Sequence, residues 1–123
     1  MLLRKSSNSL ERKMTIANVD NIIADFEHEN DLVGLWQIVA AVKNARPEFP
    51  EEQVMDATIH LVERLLRKGF EVGDPPYSRD GYRRWLDQCP QEVVKRIQRE
   101  WLALGHQPDI ADIAWFRPPA MNH

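Results

Sequence analysis

From Asn18 to Glu29 the apolar residues Val19, Ile22, Ile23 and Phe26 recur at spacings of three and four, which places them on one face of a short helix. A second stripe, Leu32, Leu35, Trp36, Val39 and Val42, predicts a helix capped by Asn30 or Asp31 and ending before Pro47. Pro50 suits the first turn of a third helix, where Glu51 and Glu52 sit well against the helix dipole. Val54, Thr58, Leu61, Val62 and Leu65 form its buried face, and Arg67, Lys68 and Gly69 give a stop signal. A fourth helix begins at Pro90, lines Val93, Val94, Ile97, Trp101 and Leu104 along one side, and terminates at Gly105.

The period changes from 3.6 to 2 in two places. Phe70 to Val72 alternates as a strand does, and Gly73-Asp74-Pro75-Pro76 then has to turn. Ile113 and Trp115 alternate with Asp112 and Ala114 before Pro118 and Pro119, so a second strand runs to Phe116 and pairs with the first. Between them, Tyr82, Trp85 and Leu86 predict a helical turn that packs inward. The expected fold is mainly α: a four-helix small domain with a short two-stranded sheet. Its core includes Leu35, Trp36, Val39, Leu61, Leu65, Ile97, Trp101 and Trp115. Residues 1–15 are Ser-rich and polar and read as a flexible tail, with Met14 as an alternative start; residues 16–119 form one globular domain, and 120–123 a C-terminal tail.

Composition narrows the class. With 123 residues, 43% hydrophobic and 28% charged, the chain has the make-up of one soluble domain with a sufficient core. Its single cysteine, Cys89, excludes an internal disulfide and a Cys-rich zinc site, and suits a reducing compartment. No stretch reaches the ~18 apolar residues of a membrane span, so a cytoplasmic location is expected.

The net charge is only -3, but it is unevenly spread. Nine acids and two bases lie between Met14 and Ala57, whereas nine bases and seven acids lie between Thr58 and Leu104. The acidic segment nominates Asp20, Asp25, Glu27, Glu29 and Asp31, with Glu48, Glu51 and Glu52, as a surface for a basic protein partner. The four tryptophans serve a core first. If one is exposed it is Trp85, which with Tyr82 and Arg84 would supply the aromatic and arginine chemistry common at interface centres.

Catalytic signatures are absent: there is no glycine-rich phosphate loop, G-x-S-x-G elbow, H-E-x-x-H or C-x-x-C. His28 has Asp25, Glu27 and Glu29 beside it, which reads as an exposed histidine on a charged helix before it reads as a metal ligand. His60 lies at the edge of a buried stripe, and Cys89 precedes a helix start with no histidine set beside it. No catalytic residue, metal or cofactor is expected, and the protein is read as a binder rather than an enzyme.

The segments Gly34-Leu35-Trp36, Leu65-Leu66-Arg67-Lys68-Gly69, Glu100-Trp101-Leu102-Ala103-Leu104-Gly105 and Asp112-Ile113-Ala114-Trp115-Phe116 span most of Asp31 to Pro118. In these packing motifs and in size, the chain resembles the small cytosolic immunity proteins that bacteria make against the toxic domains of contact-dependent and related polymorphic toxins. That resemblance implies an inhibitor that binds one cognate toxin domain, often a nuclease, and blocks its active site or substrate surface. The order of helices and strands also resembles a winged helix, with the second strand supplied from the C-terminus. This implies a DNA-binding transcriptional regulator as the alternative, although the third helix leads with Glu51, Glu52 and Asp56, which phosphates would repel.

Overall fold

A computed structural model describes residues 16–77 and 79–119; the expected tails lie outside the described residues. Helix α1 (Ile16–Glu29) buries Val19, Ile23 and Phe26, the stripe that its spacing predicts. Asn30 then turns the chain with a positive φ of 52°, its N–H donating to the Phe26 carbonyl. Asp31 caps no second helix: its Oδ1 accepts from the next residue's N–H, and the chain extends into strand β1 (Val33–Gly34). Helix α2 (Leu35–Ala45) starts directly after it, with Gly34 at the cap position in place of the expected Asn30 or Asp31. Gln37 closes that start, its Oε1 accepting from Gly34 N–H at 2.8 Å.

Helix α3 (Glu51–Arg67) follows Pro50 and buries Val54, Ala57, Thr58, Leu61, Val62, Leu65 and Leu66. It is the spine of the molecule, with α2 and the later α4 packed along it and α1 touching its C-terminal part. Gly69, at φ 101°, ends the helix where Arg67-Lys68-Gly69 predicts, and Phe70 N–H donates back to the Leu65 carbonyl. Helix α4 (Pro90–Leu104) likewise matches its expected limits, opening on Pro90 and ending at Gly105 with φ 75°.

The sheet has four strands, not two. Strands β2 (Glu71–Asp74) and β4 (Trp115–Arg117) are the expected partners and run antiparallel, with Val72 opposite Phe116; Gly73 and Asp74, expected in the turn, belong to β2 because they pair with Arg84 and Arg83. Strand β1 adds to the other edge of β4, and β3 (Arg83–Arg84) to the other edge of β2, giving the order β1-β4-β2-β3. The helical turn expected around Tyr82 to Leu86 is therefore an extended segment. Trp85 N–H donates to the Val72 carbonyl, which sends Trp85 inward and leaves Leu86 98% exposed. Strand β4 starts later than expected because Asp112 and Ala114 close tight turns and Ile113 takes a φ of 64°.

One contiguous apolar cluster runs from Val19 to Phe116 and contains the expected Leu35, Val39, Leu61, Leu65, Ile97 and Trp101. Trp115 is buried too. Trp36 departs from the expectation: it is only partly buried. Among the described residues, no helix is long and apolar enough to cross a membrane.

Candidate interaction surface

Folding divides the acids of α1 between two flanks. On the helix wheel Asp20 and Glu27 lie two turns apart on the flank facing α3, while Asp25 and Glu29 lie one turn apart on the other. Asp20 Oδ1 accepts from Arg64 at 2.8 Å, and Glu27 lies 3.8 Å from Lys68, so basic residues in the last part of α3 offset those two charges. Asp25, Glu29 and Asp31 are exposed and make no ion pair among the described residues.

The second acidic group sits elsewhere. Glu48 is paired with Arg46 at 2.6 Å; a backbone hydrogen bond first, and then this guanidinium, hold its carboxyl below the usual range. Glu51 accepts twice from Gln107 Nε2, at 3.1 and 2.9 Å, while Glu52 is exposed. Asp31 lies just before the start of α2 through β1, and Glu48 lies just beyond its end. Because α2 has 11 residues, the two groups are separated by about 16 Å of helix and form two poles, not one patch.

Between the poles runs a groove of about 330 Å³. Trp36, Val39, Ala40, Lys43 and Asn44 supply its α2 wall, and Gln107, Pro108 and Asp109 supply the wall from the α4–β4 loop. Gln107 ties the two walls together, since it bonds Glu51 on α3 and accepts from Lys43 Nζ at 3.4 Å. The spacing sets Trp36 in the core, but Ala40, Lys43 and Asn44 recur beside the buried stripe, so this polar part of the wall was readable from periodicity. The opposing wall was not, because Gln107 is 64 residues from Lys43.

Of the three expected aromatic and arginine anchors, Trp85 is buried, Tyr82 is half-buried and Arg84 stays exposed. Trp85 is 5% exposed, which corrects its reading as an exposed centre: its indole N–H donates to Asp74, and the Arg96 guanidinium lies 3.6 Å above the ring. Tyr82 and Arg84 both bond Glu71, as does Arg117 at 2.8 Å. Burial, and then the Glu71 carboxylate, push the Tyr82 phenol well above the ordinary tyrosine value, with Arg117 and Arg84 opposing. This cluster joins β2, β3 and β4. The sequence missed Gln88 as well, whose side-chain amide bonds both the N–H and the carbonyl of Val72 and so fixes the chain after β3 to β2.

His28 and Cys89 are exposed, and no group of three His, Cys, Asp or Glu side chains among the described residues could hold a metal ion. No family model matches the chain, and neither the curated proteins nor the solved structures include one significantly similar to it.

Proposed function

We propose that this chain is a cytoplasmic immunity-type protein: a non-enzymatic inhibitor, without cofactor, that binds and neutralises the toxic domain of a bacterial toxin, one of basic, nuclease type. The observation that carries the reading is the groove along α2, lined by Trp36, Lys43 and Asp109, with Glu51 bonded to its Gln107 and acids at both ends of the helix. Nuclease domains need basic clefts to hold phosphates, and an acidic surface speeds association with them while an apolar hollow supplies the contact that slows release. Asp25, Glu29 and Asp31 at one pole and Glu51 and Glu52 at the other are the residues assigned to steering.

The test is recovery of the partner from the producing cell with the intact chain as bait. The purified partner, expressed alone in a bacterium, is expected to arrest growth, and co-expression with this chain to relieve the arrest. A partner that does not arrest growth, or an arrest that co-expression leaves unchanged, overturns the reading.

The winged-helix reading draws support from the element order α1-β1-α2-α3-β2, with β4 lying between β1 and β2 in the sheet. In such a regulator α3 would enter the major groove. Here α4 packs along α3, and the exposed positions at its leading end are Glu51, Glu52 and Asp56, so that helix is covered on one side and repelled by phosphate on another. A sequence-selective, salt-sensitive complex with duplex DNA at low salt would promote the regulator over the inhibitor.

A further inference from the structure

We infer that the groove between α2 and the α4–β4 loop is the socket for a single arginine side chain of the partner, its guanidinium lying on the Trp36 ring and paired with Asp109. The assignment rests on the inhibitor reading above and names the contact at its centre. Size is the first argument. A hollow of about 330 Å³ is at the low end of the ~300–1,000 Å³ typical of ligand pockets, which suits one long side chain better than a large cofactor.

The second argument is chemistry. The floor is aromatic and aliphatic, from Trp36, Val39 and Pro108, and would receive the stem and the flat face of a guanidinium. The molecule already uses this pairing internally, with Arg96 over Trp85 at 3.6 Å and Arg46 over Phe49 at 4.7 Å. Asp109 is exposed at the groove, and the loop carrying it is held by its own N–H donating to Asp112 Oδ2 and by Gln107 bonded to Glu51. The carboxylate of Asp109 thus stands on a braced wall with no partner of its own among the described residues. Lys43 is the opposing charge in the groove; its Nζ contacts Gln107 at 3.4 Å. An arginine entering beside it gains from Asp109 and Glu51 and loses to Lys43, so the socket favours a cation while leaving an identifiable residue that works against it.

The experiment is a nuclear magnetic resonance titration of the full chain with the capped tripeptide Ac-Gly-Arg-Gly-NH2, with Ac-Gly-Glu-Gly-NH2 as the opposite-charge probe. The arginine peptide is expected to shift the Trp36 indole N–H and the amides of Lys43, Asn44 and Asp109, weakly and in a salt-dependent way. Asp109→Asn should weaken that binding about three-fold and Lys43→Ala should tighten it by a similar factor, as expected for single exposed charges. Ala40→Trp, at an exposed helix position lining the groove, should fill the socket and abolish the shifts while circular dichroism stays unchanged. Preference for the glutamate peptide, shifts confined to surface carboxylates outside the groove, or unchanged binding by Ala40→Trp would each overturn the assignment. The peptide titration contains no toxin, so its failure alongside intact growth rescue removes the socket alone, whereas arginine binding without any toxic partner removes the inhibitor reading alone.

Discussion

At the scale of single residues, Gly34 and Tyr82 carry the most specific constraints. Gly34 has ordinary backbone angles, so its requirement is space: a Cβ there would lie 2.6 Å from Trp36 Cδ1 and 2.8 Å from Trp115 Cε2. The Trp115 ring is held by donation to the Ile110 carbonyl and by an edge-on contact with Tyr77. Gly34→Ala should therefore cost ~1 to 3 kcal/mol through overpacking, read from urea denaturation. Tyr82 predicts a pH effect with a definite sign. Its neutral form is favoured in the folded state, so the folded protein holds the phenolic proton when the unfolded chain releases it near the ordinary value of about 10. Stability must fall as pH rises from about 10 toward the raised folded value. Tyr82→Phe should flatten the stability slope between about pH 9 and 11, and an unchanged slope would remove Tyr82 from the buried cluster around Glu71.

At the scale of elements, the helices and the β2–β4 pair follow from local signals, and the strands β1 and β3 do not. Helix α4 begins with Pro90 and ends at Gly105 in the left-handed region, with open space around the position its Cβ would take. Gly105→Ala should then cost about 1 kcal/mol from backbone strain alone, while Gly105→Asn should cost less, because asparagine tolerates that conformation. The comparison with Gly34 by denaturant melts separates a conformational glycine from a steric one. Strands β1 and β3 have two residues each, too few for any alternation to register. They exist because β4 and β2 offer unpaired backbone edges and because Gln88 and the Glu71 cluster hold the chain against β2.

At the scale of the whole molecule, the charge asymmetry along the chain becomes an arrangement in space. Strand β1, which α1 reaches through three residues, forms one edge of the sheet, and the arginine pair of β3 forms the other. Reversing Asp25, Glu29 and Asp31 to lysine should slow association with a basic partner and flatten its salt dependence, with little change in dissociation. Stopped-flow measurement at several ionic strengths tests this, and an unchanged association rate would move the interface to another face. Asp20 and Glu27 are poor choices for that experiment: Arg64 and Lys68 would be left facing new positive charge, and fold and binding would change together.

The sequence by itself determined the four helices, the pairing of the Phe70 and Trp115 segments and most of the core, although not Val33, Ile38 or Leu66. These depend on period, proline, glycine and capping chemistry within a few residues of one another. It also nominated the acidic residues, because charge is local to each side chain. Only the tertiary structure decided which acids remain unpaired, since Asp20 and Arg64 are 44 positions apart. It withdrew Trp85 from the surface by setting it against Val72, Asp74 and Arg96, and left Trp36 partly exposed beside a loop that arrives from the far end of α4. Hydrophobic spacing states that a residue faces the core side of its own helix; whether a neighbour then covers it depends on long-range packing that no local pattern encodes.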